Sequence, residues 1–240
     1  MHSLFEIAAG SVAGSYHLRA ARNSHDAFHS EITADAVVAV VCDGCGSAEH
    51  SEVGAKIGAR LVARAIAAHL PAHELDEHFW GHVQLDVLAR LAAIAEHVGT
   101  IEDYFLFTIV AAVASRETTT VAVAGDGLVL LNGERVSLPV VVDNAPSYLT
   151  YALRESGGAG LRTVATVPTA KVSTLLIASD GAEHLPSLGD FVSQDVIFRN
   201  PDAMRRRLFM LNRRPPGSLP DDTTIVAIRR RESHDRPPAS

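Results

Sequence analysis

Four apolar runs in this chain end in, or start from, an aspartate. Asp43 follows VVAVVC, Asp126 follows TVAVAG, Asp180 follows TLLIAS, and Asp221-Asp222 precede TTIVAI. Gly44, Gly127 and Gly181 come directly after the first three. An aspartate at a strand end projects from a rigid scaffold, and a following glycine lets the backbone turn at once beside a ligand. A single Asp-Gly is an ordinary turn. Four acidic strand ends converging on one edge form an all-oxygen site, the donor set that Mg²⁺ and Mn²⁺ prefer. Two such ions about 3.5–4 Å apart can share a water, lower its pKa and aim it at phosphorus.

The same stretch offers a competing reading, because Cys42 and Cys45 bracket Asp43-Gly44 as C-x-x-C. Zinc requires two further ligands and only His50 is near in sequence. Strand alternation sends Cys42 and Asp43 to opposite faces, so Cys42 belongs with Val38 and Val40 in the core. His69, His73, His78, His82 and His97 read as surface residues, since no H-x-x-x-H stands on one face with a third ligand. Trp80 reads as core. No G-x-S-x-G elbow supports a serine nucleophile, and Ser47 or Ser51 is expected to cap the helix that begins there.

The elements that must position the aspartates follow from periodicity. Residues 3–12 and 35–42 read as strands, the second apolar on both faces and therefore central. Helices follow: Val53, Ile57, Leu61, Val62, Ala65, Ile66 and Leu70 form one stripe, and Trp80 through Val98 form another of about six turns. From residue 105 strands return, with Asn132-Gly133 as a hairpin turn. A glycine patch at Gly157, Gly158 and Gly160 precedes the strand STLLIASDG, then MRRRLFMLNRR reads as a short helix and TTIVAIRR as the last strand. With no internal repeat, the pattern predicts one domain over 1–230, of antiparallel strands and a few long helices, and a polar disordered tail over 231–240.

The ordered set HDAF, VVCDGCGSAEHSEVGA, TTVAVAGDG, LLIASDG and DDTTIVAI resembles the PP2C-type metal-dependent Ser/Thr protein phosphatases, in a bacterial branch, from about residue 8 to 230. The resemblance implies an α+β fold, a four-layer α/β/β/α sandwich of two antiparallel sheets flanked by helix pairs. It implies hydrolysis of phosphoserine and phosphothreonine in proteins by a water bridging two Mn²⁺ or Mg²⁺ ions, with a third, weaker metal position. By position, Asp43 is the bridging ligand, the Gly44 carbonyl binds the second ion, and Asp180 and Asp221 complete the first site, with Asp222 the second choice. Asp126 and Asp180 match the third position, and Asp26 holds metal-bound water. Arg22, ahead of Arg19 and His17, is the candidate phosphate ligand.

Three departures accompany that resemblance. His25 stands where many members have Glu; an imidazole ligand suits Mn²⁺ better than Mg²⁺, so a manganese preference is expected. Cys45 stands where eukaryotic members carry the His that protonates the leaving group, which slows rather than abolishes a reaction governed by positioning and electrostatics. These substitutions keep a second reading open: a catalytically weak regulatory module that binds a phosphorylated partner. The segment 182–200 corresponds in position to the family's variable flap.

Composition bounds the rest. At 240 residues, 47% hydrophobic and 20% charged, the chain can bury a full core. A net charge of -7 argues against nucleic acid as a partner. No run spans a bilayer and two cysteines form no disulfide framework, so the cytoplasm is the expected compartment. The expected partners are a phosphorylated protein substrate and a cognate Ser/Thr kinase.

Overall fold

The protein is described from a computed structural model over residues 1–139, 146–154, 160–213 and 219–231. Its elements run β1 (Phe5–Val12), α1 (Ser15–Arg19), β2 (Ala27–Ile32), β3 (Val37–Cys42), α2 (Ser51–His69), α3 (Glu77–Val98) and α4 (Ile101–Tyr104). Then come β4 (Ile109–Ala114), β5 (Thr118–Ala124), β6 (Leu128–Leu131), β7 (Glu134–Arg135), β8 (Arg162–Pro168) and β9 (Thr174–Ala178). The chain closes with α5 (Asp190–Ser193), α6 (Asp195–Arg199), α7 (Ala203–Asn212) and β10 (Thr223–Arg230). Two five-stranded antiparallel sheets result, ordered β1-β10-β9-β6-β7 and β2-β3-β4-β5-β8.

Strand β3 shows how the layers form. All six of its residues are buried, yet they alternate in destination. Val37, Ala39 and Val41 join the core between the sheets, with Val110, Val123, Ile177 and Val226. Val38, Val40 and Cys42 face the opposite way, against α2 and α3. A third core on the far side of the other sheet receives Phe191, Ile197, Met204, Leu208 and Leu211 from α5, α6 and α7. Three apolar layers between four polypeptide layers give the α/β/β/α sandwich. Cys42 is fully buried, and neither cysteine is in a disulfide.

The first helical layer packs more closely than the stripe of large residues predicts. Val53 is exposed, whereas Gly54, Ala55, Gly58 and Ala59 are buried. A Cβ on Gly54 would lie 1.6 Å from the Tyr104 carbonyl oxygen, and one on Gly58 2.4 Å from the Phe107 ring. Small residues set the helix–sheet distance here, and the larger Ile57 and Leu61 pack at the margin. Trp80 is buried and its indole N–H donates to Thr120 Oγ1 at 3.2 Å. Neither Ser47 nor Ser51 caps α2: the N-cap is His50, without a side-chain bond, and the Ser51 hydroxyl is engaged elsewhere.

The segment 182–200 packs into the third core. Phe191, Val192 and Ile197 anchor it under the sheet. Asn132 and Gly133 both take positive φ, at 54° and 85°, as the hairpin turn requires. Gly157, Gly158 and residues 232–240 of the expected tail lie outside the described residues. Among the described residues no helix is long and apolar enough to cross a membrane.

Candidate active site

Strand register brings the aspartates together. In the β2–β3 pair Ala27 faces Cys42, so Asp26 and Asp43, one step further on, leave that sheet side by side. In the other sheet Ala178 pairs with both Leu128 and Ile225. Continuing those ladders by two residues sets Asp126 beside Asp180, and Asp180 beside the start of β10, where Asp221 and Asp222 lie. Both sheets open at the same end, and their acidic termini line one cleft of about 240 Å³. Asp43, Gly44, Asp126, Asp180, Asp221 and His25 line it, with His17, Cys45, Thr108 and Tyr148. No Lys or Arg is among the described lining residues.

Local backbone explains the glycine after each acid at two points. Gly181 passes so close to the start of β10 that a Cβ would fall 1.9 Å from the Asp222 carbonyl oxygen. Gly125 and Gly127 flank Asp126 with φ of 89° and 133°, conformations that L-residues with side chains seldom hold. The crossing from one sheet to the other is made there.

Two predicted residues do not line the cleft. Asp26 is buried behind Asp43; its Oδ2 accepts from the Ser179 hydroxyl at 2.6 Å, and its Oδ1 is buried without a hydrogen-bond partner. Arg22 lies at the rim and donates from Nη1 to the Gly46 carbonyl at 3.2 Å and from Nη2 to that of Ala48 at 3.3 Å. As placed, it braces the loop after Gly44.

Asp222, the second choice for a ligand, has another use. Its Oδ1 accepts from the Gly14 N–H at 2.7 Å, and its Oδ2 accepts from the His25 N–H at 2.6 Å and from His17 Nδ1 at 2.7 Å. A buried carboxylate with three donors is satisfied, and it fixes the segment carrying His17 and His25. The two imidazole rings stack with centroids 4.2 Å apart. The Ser51 hydroxyl gives its one proton to the Cys45 carbonyl, at 2.8 Å, so the 3.0 Å contact with His25 must be donated by Nδ1. His25 Nε2 thereby keeps its lone pair.

The electrostatics are those of a site short of positive charge. Burial pushes Asp43 well above the usual carboxylate range, and the charges of Asp26, Asp180 and Asp221 add to it. Asp26 rises to about 7, mainly through burial, against the opposing bond from Ser179. Asp126 and Asp221 are also raised, first by burial and then by Asp180. Burial, with His17 and Arg22 nearby, lowers His25 and keeps it neutral. Burial opposes ionisation of Cys45, but bonds from Ser47 and Tyr148 outweigh it and lower the thiol.

Carboxylates lining one cleft, a lone pair on His25 and no Lys or Arg among the described lining residues fit a divalent cation in donor type and charge. Among the described residues, however, no three His, Cys, Asp or Glu side chains stand around a common point ready to hold an ion.

The family model described as protein phosphatase 2C matches residues 13–213. The chain belongs to the protein phosphatase 2C family. That match takes in Asp26, Asp43, Asp126 and Asp180 and stops short of Asp221. Among solved structures, the serine/threonine phosphatase Stp1 from Staphylococcus aureus superposes with a TM-score of 0.63 at 15% identity, over 95% of this chain and 96% of that one. RsbX in complex with magnesium gives 0.55 at 14% identity, over 95% of this chain and 96% of its own. A C. elegans sex-determining protein gives 0.62 at 13% identity over 94% of this chain, which spans 64% of that longer one. At these identities the likeness is one of fold. No curated protein matches the sequence.

Histidine 17 and Tyr148 are the lining residues that motif reading undervalued. His17 lies on a five-residue helix with no buried residue. Tyr148 precedes a short 3₁₀ segment, Leu149–Leu153. The signal that would have found His17 is its pairing with Asp222, which sequence spacing does not reveal across 205 residues.

Proposed function

We propose that this protein is a Mn²⁺- or Mg²⁺-dependent phosphatase that hydrolyses phosphoserine and phosphothreonine in proteins. The observation that carries this reading is the convergence, from both sheets, of Asp43, Asp126, Asp180 and Asp221 on one cleft whose described lining includes no Lys or Arg. Family membership supports it. Asp43, the Gly44 carbonyl, Asp180 and Asp221 would hold two ions, Asp126 with Asp180 a third, and His25 Nε2 supplies a nitrogen donor. Such ions, when bound, supply positive charge against the phosphoryl oxygens and acidify water.

The chain's own groups do the rest. Asp26, behind Asp43, holds a proton-accepting oxygen close to neutrality. Asp222 orients His17 by accepting from its Nδ1–H, so in the neutral ring Nε2 carries a lone pair at the cleft wall and is a position that can take up a proton. Arg22 fixes the loop over Gly46–Ala48; its role toward phosphate requires the guanidinium to exchange those carbonyls for a substrate oxygen. The physiological substrate is a phosphorylated protein, with a Ser/Thr kinase as the source of the phosphate.

Hydrolysis of a small aryl phosphate tests the reading, with Mn²⁺ and with chelator, in wild type and Asp180→Asn. Turnover that needs metal and is lost in the variant is expected. No turnover with any divalent metal, alongside retained binding of a phosphopeptide, would replace the enzyme with a binding module.

A further inference from the structure

The far end of α2 carries a second group of potential ligands, remote in kind from the carboxylates. His69 ends α2, His73 follows after the turn at Pro71, and His82 lies in the second turn of α3. Their ring centroids stand 5.7 Å apart for His69 and His73, 5.6 Å for His69 and His82, and 4.2 Å for His73 and His82. Three imidazoles on one zinc ion, with Zn–N near 2.0–2.1 Å, place their centroids roughly 5 Å apart. The spacing H-x-x-x-H from His69 to His73 therefore does acquire a third member, supplied by the next helix.

Asp86 stands behind the group. Its Oδ2 lies 3.9 Å from His69 Nε2, and its Oδ1 accepts from Arg90 Nε at 2.7 Å. A carboxylate beside one imidazole nitrogen favours a proton there and leaves the other free for a metal, the usual support of a zinc-bound histidine. His73 also borders a cleft of about 460 Å³ lined by three carboxylates, Asp35, Glu74 and Glu117, and one cation, Arg116, so acidic groups outnumber basic ones beside it.

We propose that His69, His73 and His82 form a Zn²⁺ site that ties the end of α2 to α3. As they stand the rings are stacked, 20° from parallel for His73 and His82, and do not fan around one point. Uptake therefore involves rotation of His73 and His82, both exposed and neither held by a hydrogen bond among the described residues. Imidazole nitrogen suits Zn²⁺ and disfavours Mg²⁺, so this site and the carboxylate cleft select different ions.

Zn²⁺ binding is measured by calorimetry on the full untagged chain in excess Mg²⁺, for wild type, for His73→Ala with His82→Ala, and for His78→Ala as an exposed control. Co²⁺ absorption serves as a second readout, since tetrahedral nitrogen coordination absorbs more strongly than an octahedral oxygen site. Wild type and His78→Ala are expected to bind one more Zn²⁺ than the double variant, with an intense Co²⁺ band that the double variant lacks. Removing two ligands should weaken this step by more than the roughly 10–100-fold that loss of a supporting partner costs. Equal Zn²⁺ stoichiometry and affinity in wild type and double variant, or a Co²⁺ spectrum unchanged by the substitutions, overturns the proposal.

Discussion

The two ends of α2 meet opposite solutions to gathering polar side chains. At its start, Ser51 is buried and bonded to Cys45 and His25 beside carboxylates that two sheets force together. At its end, His69 joins two exposed histidines whose rings lie against its own and each other. Carboxylates set by strand register cannot move apart, so their burial, and after it their mutual repulsion, are built into the fold and raise Asp43, Asp126 and Asp221. Exposed imidazoles on a helix end carry much less of that cost, because they stay largely hydrated and solvent screens them. The proposed cation site is thus the one whose side chains folding pre-organises.

The largest break in this comparison comes from its anchor. Asp222→Ala leaves the buried Gly14 and His25 N–H groups without an acceptor, a loss of about 3–5 kcal/mol in denaturant-derived stability. A surface carboxylate such as Asp86 should cost less than about 1 kcal/mol on the same scale.

Next in size is the effect on turnover. Asp180→Asn or Asp43→Asn should lower kcat for an aryl phosphate by on the order of 10²–10³, the usual consequence of losing one preorganised electrostatic group. Alanine at His73 and His82 should leave that rate unchanged.

The pH dependence of stability separates the two ends further. Asp26 has a folded value of about 7 against an ordinary 3.8, so the folded state binds the proton more tightly than the unfolded state. In chelator, stability should therefore be highest near pH 4 on account of this group, and fall as pH rises to about 7. Asp26→Asn removes that part of the slope and should stabilise the chelated protein at pH 8, as read by thermal melting across pH. An unchanged slope would separate Asp26 from the acid cluster.

Metal choice gives the smallest effect. His25→Glu exchanges nitrogen for oxygen and should shift the ratio of Mn²⁺- to Mg²⁺-supported activity toward Mg²⁺ by a few-fold, roughly 1 kcal/mol. Equal activity of the wild type with both metals would remove the basis for the preference.

Much of this was legible from residues alone because the acidic strand ends sit at the termini of strongly apolar runs. Strands β3, β4, β5, β9 and β10 are buried throughout or nearly so and announce themselves by composition. Strands β2 and β8 do not: AFHSEI and RTVATVP lie at the sheet's two edges, with most residues half-buried or exposed, and carry no clear alternation. Missing β2 matters, since its register is what sets Asp26 against Asp43. Asp221 and Asp222 differ by one step in the chain, and only the three donors around Asp222 separate ligand from anchor. The histidine group was hidden because Pro71 interrupts the helix between His69 and His73, and His82 arrives from the other side of the turn.

The three bonds to Asp222 also fix when the cleft exists. Gly14 and Asp222 are separated by 208 residues, and β10 fills the place between β1 and β9. Asp26, Asp43, Asp126 and Asp180 all precede β10 in the chain, and the start of β10 brings Asp221 and Asp222 to them. A chain without β10 holds Asp43, Asp126 and Asp180 but lacks Asp221 and the Asp222 anchor, so the cleft is complete only once β10 is in place between β1 and β9.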